Sequence, residues 1–180
     1  MYFYKKTIRM KLKFYFLQLI VFLSLISCEK EMQQPKVIEF EKQSVINQYD
    51  WELITLSAKT LNFITKSRKV IFIYYWSIND ENIKNNLDKL EEFYANYNTK
   101  LEFVFVTSDK QDEVRKFLTD NEYTFPVFYS LSPIPKPMSL DATKKAYLIN
   151  KKGRIVVENQ GDANWNSDFF YEVVDGVLKQ

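Results

Sequence analysis

The clearest hydrophobic pattern in the chain is an unbroken apolar run at residues 70–76. Its β-branched and aromatic side chains show no polar alternation, which is typical of a strand buried on both faces of a sheet. Further along, apolar residues recur at alternating intervals of four and three and mark one face of a helix. They are Ile83, Leu87, Leu90, Tyr94 and Tyr97. The pattern therefore predicts a central strand followed by an amphipathic helix.

The residues between that strand and that helix are polar and suit a helix N-terminus. Ser77 and Asn79 are candidate caps, and Asp80 and Glu81 would place negative charge in the first turn. An acid–base pair or a metal site at the two acids is the alternative interpretation. Adjacent residues diverge on a helix, which favours the simple role of a helix start.

The same alternation of strand and helix follows once more. Residues 101–107 predict a second buried strand, and Ser108 with Gln111 has the spacing of a capping box that opens a second helix. Asp109 and Asp112 are then first-turn acids. Two strand–helix units in succession predict parallel strands joined by right-handed crossovers.

The C-terminal part predicts a short extended piece at 125–129, a proline-rich loop, a hairpin and a closing helix. Lys151-Lys152-Gly153 connects the two hairpin strands, and Asn166 or Ser167 caps the last helix. Upstream, residues 37–40 and 51–56 suggest short strands. Residues 59–63 alternate as a strand does, with a short helix across 56–66 as the rival. The order β-α-β-α-β-β-α predicts a single α/β domain.

The N-terminus has the pattern of a secretory signal. Residues 1–13 contain five basic and no acidic residues, and a thirteen-residue apolar run follows at 14–26. A helix needs roughly 20 residues to cross a bilayer, so this run suits the apolar segment of a signal peptide better. An uncleaved signal anchor is the alternative.

The run ends at Leu25-Ile26-Ser27-Cys28, which resembles the bacterial lipobox. The resemblance implies that the Cys28 thiol takes a diacylglycerol and that cleavage leaves Cys28 as the first residue. We therefore expect a signal peptide at 1–27, a tether and N-terminal extension at 28–49, and a folded domain at 50–180. The protein is expected on the extracytoplasmic side of a bacterial envelope membrane, held by its lipid.

Removal of the predicted signal peptide changes the net charge of the chain from positive to negative. The whole chain of 180 residues has 25 Lys+Arg and 23 Asp+Glu, a formal charge of +2. The predicted signal contains five of the basic residues, so the mature chain is acidic by about three charges. A nucleic-acid partner needs a retained basic stripe, and none is evident. We expect no nucleic-acid partner.

Composition also removes many chemistries. The chain has no histidine, one cysteine and three glycines, all of the latter within the last 30 residues. Histidine-based triads, cysteine zinc sites, redox cysteine pairs and phosphate-cradling glycine loops are excluded. We expect no metal, no cofactor and no catalytic residue of these classes.

Four segments in order resemble the thioredoxin fold, specifically the TlpA-like branch of membrane-tethered thioredoxins. They are residues 69–77, 107–118, 124–127 and 147–156, the last reading Tyr-Leu-Ile-Asn-Lys-Lys-Gly-Arg-Ile-Val. The resemblance covers about residues 50–180. It implies a single α/β domain with a central mixed sheet flanked by helices, and, in the family, thiol–disulfide exchange by a Cys-x-x-Cys pair.

This chain departs from the family at that pair. Aligned from Trp76, the attacking cysteine is replaced by Asp80 and the resolving cysteine by Ile83. The family's cis-proline falls near Thr143 or Lys144, where there is no proline, since Pro137 lies about seven residues early. A carboxylate cannot form a mixed disulfide, so the resemblance predicts that thiol chemistry is lost.

The family's substrate-facing surface maps to a possible groove, although core packing is the commoner role for such aromatic residues. Its borders would be Trp76, Asn79, Asp80, Pro137 and Lys144. We expect a binding or accessory role towards a protein or peptide partner. The alternatives are an enzyme that uses Asp80 and Lys144, a redox role through a partner's cysteines or in cytochrome maturation, and a structural subunit of an envelope complex.

Overall fold

The computed structural model describes residues 32–47, 50–63, 69–139 and 144–180. Residues 32–180 form one compact unit. The predicted signal peptide, Cys28 and Thr143 lie outside the described residues. Within the described ranges, no helix is both long and apolar enough to cross a membrane.

The centre of the fold is a mixed sheet, as predicted, and in the described part of the chain it has seven strands. Its spatial order is β2-β1-β5-β4-β3-β6-β7. Strands β3, β4 and β5 are parallel to one another, and the remaining pairs are antiparallel. The strands are β1 (Trp51–Thr55), β2 (Thr60–Phe63), β3 (Val70–Tyr75), β4 (Leu101–Val106), β5 (Val127–Ser130), β6 (Lys145–Ile149) and β7 (Ile155–Gln160).

Three α-helices pack against the sheet: α1 (Ile83–Tyr97), α2 (Gln111–Asp120) and α3 (Asp168–Leu178). The chain steps from β3 to β4 to β5 in one direction, so right-handed crossovers place α1 and α2 on the same face. Buried residues of all three helices accordingly belong to one hydrophobic cluster.

Phe72 lies at the centre of that cluster. Its ring meets those of Phe93 at 5.1 Å, Trp165 at 5.5 Å and Phe170 at 6.1 Å between centroids, all edge to face. Edge-to-face contacts are a preferred geometry because a positive ring edge meets a negative ring face. A large part of the aromatic content is therefore core, which ties α1, α3 and the loop before α3 to β3.

The opposite face of the sheet has a second buried cluster, which includes Ile73, Val104 and Tyr147. Among the described residues, those that join it from outside the strands are Ile46 and Met138. This face is thus covered in part by the N-terminal segment and by the proline-rich loop after β5.

The N-terminal segment at 33–46, within the predicted tether and N-terminal extension at 28–49, is docked on the domain. It runs antiparallel along the outer edge of β7, where Ile38 N donates to Val156 O at 2.8 Å and Ile155 N donates to Ser44 O at 2.9 Å. Ile46 is 0% exposed. The folded unit therefore begins well before residue 50, because the segment satisfies the edge of the last strand.

The ambiguous stretch at 36–66 resolves in three parts. Residues 51–55 form the predicted strand, and residues 60–63 form a strand rather than the rival helix. The strand suggested at 37–40 is wrong, because that segment makes an isolated bridge at Val37 and then a short 3-10 turn at Phe40–Lys42.

The docked segment predicts a large effect for Ile46→Ala. The substitution leaves a cavity under the N-terminal segment, and the free energy of unfolding should fall by about 2–4 kcal/mol. Val37→Ala, in the same segment but at a side chain that is 40% exposed, should change it by less than about 1 kcal/mol. Urea denaturation followed by circular dichroism measures both, and equal effects would contradict the assignment of residues 33–46 to the core.

Candidate functional site

The candidate site lies at the carboxyl ends of β3 and β4, where sheets of this kind usually place their ligands. Two connections leave the sheet side by side there: the α1 loop (residues 76–82) and the α2 loop (residues 107–110). The structure brings Asp80 and Lys144 to this end of the sheet, together with Asp109, Asn86 and Asp162, which the sequence did not single out as site residues.

The carboxylate of Asp109 joins the two loops. Its Oδ1 accepts a hydrogen bond from Ser77 Oγ at 2.9 Å, and its Oδ2 accepts from Ile78 N at 2.6 Å and Thr107 Oγ1 at 3.1 Å. The predicted role of Asp109 as a first-turn acid is wrong. Hydrogen bonds to an ionised acceptor are shorter and stronger than neutral ones, so Asp109 fixes the path of the α1 loop.

The predicted capping box at the start of α2 is also wrong. The N-cap of α2 is Lys110, and it makes no side-chain capping bond. The hydroxyl of Thr107 instead accepts from Asp109 N at 3.2 Å. Thr107 is 2% exposed, and this local bond turns the chain before the helix begins.

Asp80 lies before α1 and not in its first turn, which contains no acid. Its Oδ2 accepts from Ser77 N at 2.9 Å, and its own N–H donates to Ser77 O at 3.1 Å. Asn82, the N-cap of α1, has a left-handed backbone with φ of 58°. The bonds between residues 77 and 80 close a turn first, which delays the helix to Ile83.

Lys144 crosses from the start of β6 to the α1 loop. Its Nζ donates to Glu81 O at 2.6 Å and to Asp162 Oδ1 at 2.5 Å, and its side chain is only 14% exposed. Asn86 on α1 donates through Nδ2 to the same Asp162 oxygen at 2.6 Å and accepts from Ala163 N at 3.4 Å. The α1 loop is therefore held from β6 as well as from β4.

Asp162 and Asn86 were missed by the sequence analysis. Asn86 is 0% exposed and lies on the apolar face of α1, between Ile83 and Leu90. A polar residue on that face was the available signal for a buried hydrogen-bonded group. Asp162 gave no signal, because its partners come from distant parts of the chain.

Tyr74 approaches this end of the sheet from the core. Its hydroxyl is buried and has no hydrogen-bond partner among the described residues. Burial raises the pKa of Tyr74 far above its ordinary value, and the negative charges of Asp162 and Asp80 raise it further. The phenol is therefore neutral throughout the physiological range.

The two residues that the resemblance aligns with the family's cysteines differ in environment. Ile83 is buried at the first turn of α1, whereas Asp80 is partly exposed. The hydrogen bonds of Asp80 described above are both made to the backbone of Ser77. Within the described ranges, no group of three or more Asp, Glu, His or Cys side chains could hold a metal ion.

The structure corrects one border of the predicted groove. Trp76 is 0% exposed and packs against Phe117 at 6.0 Å and Phe125 at 6.3 Å, so its side chain faces the core and not a surface. Asn79 and Pro137 are exposed. The groove itself stays a prediction, now without Trp76.

The expectation that the chain lacks a cis-proline is wrong. The Lys136–Pro137 peptide bond is cis. This bond lies in the loop after β5. The resemblance places the family's cis-proline near Lys144, seven residues later, so the chain has a cis-proline at a different position of the sequence.

Comparison with known proteins supports the fold. A family model for thioredoxin-like proteins matches residues 67–155. No curated protein gives a significant match. Among solved structures, a DsbF homologue from Corynebacterium diphtheriae has a TM-score of 0.58 at 12% identity, covering 83% of this chain and 96% of that one.

Two further structures are similar. A secreted thiol-disulfide isomerase from Corynebacterium glutamicum has a TM-score of 0.58 at 12% identity, with 85% of this chain and 93% of that one covered. A thiol:disulfide interchange protein of the thioredoxin family from Chlorobium tepidum has 0.54 at 11%, with 81% and 97% covered. At these identities the likeness establishes the fold alone: a single thioredoxin-like domain.

The position of Asp109 predicts that Asp109→Ala loosens the α1 loop. Three hydrogen bonds to a carboxylate are lost and their three donors lose this acceptor, so the free energy of unfolding should fall by about 2–3 kcal/mol. Amide hydrogen exchange at Ile78, measured by NMR, should become faster. Asp112→Ala removes an exposed acid on α2 and is the matched control. Unchanged exchange at Ile78 would show that Asp109 does not hold the loop.

Proposed function

We propose that this protein is a lipid-anchored, extracytoplasmic binding or accessory protein of the bacterial envelope, built on a thioredoxin-like domain that performs no thiol exchange itself. The observation that carries the proposal is the state of the former cysteine positions. Asp80 is hydrogen-bonded to the backbone of its own loop, and Ile83 is part of the core.

The loss of thiol exchange follows from what that reaction needs. A thiolate must attack a disulfide, and a second thiol must release the mixed disulfide. The only cysteine of the chain is Cys28, which precedes the folded unit and which the proposal assigns to lipid. Neither a carboxylate at 80 nor a sec-butyl group at 83 can replace a thiol in either step.

A binding role is favoured by the rigidity of the α1 loop. Asp109, Asp80 and Lys144 together fix its backbone at residues 77, 78 and 81. Asn79, Glu81 and Asn82 are exposed on that fixed frame. A partner that binds them orders little additional chain, and preorganisation of this kind raises affinity by lowering the entropic cost of binding.

The lipid anchor is proposed from the N-terminal sequence. A basic stretch, a short apolar run and Leu-Ile-Ser-Cys occur in the order of a lipoprotein signal. The secreted neighbour from Corynebacterium glutamicum is consistent with an extracytoplasmic location. The membrane is then one partner of the protein, and a protein or peptide is the other.

One alternative keeps a redox function. Similar structures are described as thiol:disulfide interchange and isomerase proteins, so the domain could take part in envelope redox reactions or cytochrome maturation through a partner's cysteines. A structural subunit of an envelope complex is the other alternative. In the first alternative the partner contributes cysteines, and in the second the partners are the other subunits of the complex.

The anchor predicts that Cys28→Ala releases the protein from membranes or leaves it unlipidated. Metabolic labelling with radioactive palmitate should mark the wild-type chain and fail to mark the variant. Ser24→Ala, inside the apolar run, is the control and should still be labelled. Label in Cys28→Ala would refute lipid attachment at this residue.

The binding role predicts that positive charge introduced on the α1 loop removes a partner. In crosslinked envelope preparations, the variant with Asn79→Arg and Glu81→Arg should lose partners that the wild type retains, and Lys152→Glu in the β6–β7 hairpin should retain them. Equal recovery of partners with the wild type, the double variant and Lys152→Glu would exclude the α1 loop as the binding surface.

An insulin-disulfide reduction assay, with the purified protein alone and with the recovered partner, distinguishes the redox alternative from the main proposal. The purified wild-type protein is expected to show no reduction of insulin disulfides by dithiothreitol beyond the uncatalysed rate. Catalysis by the protein alone would overturn the main proposal. Catalysis only in the presence of the recovered partner would favour the alternative.

A further inference from the structure

The start of the folded unit is fixed beside the N-terminus of α3. Asn164 N donates to Gln33 O at 2.8 Å, and Ser167 Oγ donates to the side-chain Oε1 of Gln34 at 2.6 Å. Ser167 is the N-cap of α3, and its hydroxyl also accepts from Phe170 N. The chain is therefore attached to the folded domain from residue 33 onwards.

The length of chain before that point limits how far the domain can move from a lipid on Cys28. Five residues from Cys28 to Gln33 span at most about 18 Å when fully extended. A globular unit of about 150 residues has a radius of gyration near 15 Å and is about 40 Å across. The chain is shorter than the domain is wide, so the domain cannot turn its opposite end to the bilayer.

The surface at this entry point contains an exposed aromatic side chain. Phe169 is in the first turn of α3, two residues after Ser167, and is 43% exposed. Of the adjacent residues, Gln34, Asn164 and Asn166 are polar and uncharged, whereas Asp168 and Glu172 on α3 are exposed acids. An aromatic side chain suits the interface between headgroups and acyl chains, and the acids beside it can stay among the hydrated headgroups.

The entry point also lies beside the candidate site. The loop between β7 and α3 contains Asp162, which binds Lys144, and Ala163, which binds Asn86. Gln33 is held by the very next residue, Asn164. The surface that faces the bilayer and the α1 loop are therefore at the same end of the domain.

We propose that the start of α3, with Phe169 at its centre, contacts the lipid bilayer and holds the α1 loop towards the membrane. This inference rests on the proposed lipid anchor at Cys28. It implies that the binding partner is embedded in the membrane or lies at its surface, because a partner must reach a loop held close to the bilayer.

The single cysteine permits a direct test. Phe169→Cys and Lys152→Cys are introduced separately into the full chain, in which lipid occupies the Cys28 thiol, and each new thiol is labelled with bimane. Lys152 is exposed and lies in the hairpin at the other end of β7. The labelled proteins are placed in phosphatidylethanolamine–phosphatidylglycerol vesicles that contain headgroup spin-labelled lipid.

Quenching at position 169 should exceed that at position 152 by about threefold or more, because a membrane-facing side chain lies near the headgroups. Asp168→Cys keeps Phe169 and should give the same result from the neighbouring position. Equal quenching at the two ends of β7 in protein that floats with the vesicles would overturn the orientation and leave the anchor standing. Unlabelled wild-type protein that fails to float would overturn the anchor, and the orientation with it.

Discussion

The carboxylate of Asp109 is the contact on which the arrangement of the candidate site depends. It belongs to the loop after β4 but binds the loop after β3, so it converts two adjacent strand ends into one rigid edge. Parallel strands place their carboxyl ends together, but they do not fix the loops that leave them. A charged acceptor that is shared by two hydroxyls and a backbone N–H supplies that fixation. The Lys144–Asp162 pair then holds the same loop from the β6 side.

These contacts give local order to the end of the sheet that contains the candidate site. The carboxylates and amides at this end are hydrogen-bonded to other groups of the protein. Asp80 closes a turn with Ser77, and the helix begins only at Ile83, whose side chain is core. Both residues therefore contribute to the local order of this end of the sheet. The same end of the domain can therefore present a fixed surface.

The sequence predicted what depends on neighbouring residues and missed what depends on distant ones. The buried strand at 70–75 and helix α1 follow from runs and spacings within about 30 residues, and both are present. The start of α1, the role of Asp109 and the docking of residues 33–46 depend on partners that no local pattern identifies. Asn86 and Asp162 are 76 residues apart. Burial of Trp76 was equally hidden, because an aromatic residue after a strand suits a core and a groove alike.

The pairing of the N-terminal segment with β7 joins the two ends of the folded unit and also affects the order in which the unit folds. Residues 36–46 bind residues 153–159, so their hydrogen bonds cannot form until nearly the whole chain has been made. Contacts of such long sequence separation slow folding, because the closing loop must lose its entropy before the contact forms. This order of events suits the proposed export of the chain in the unfolded state. Under that proposal, the segment that follows the proposed signal peptide finds no partner to fold with until the last strand has also crossed the membrane.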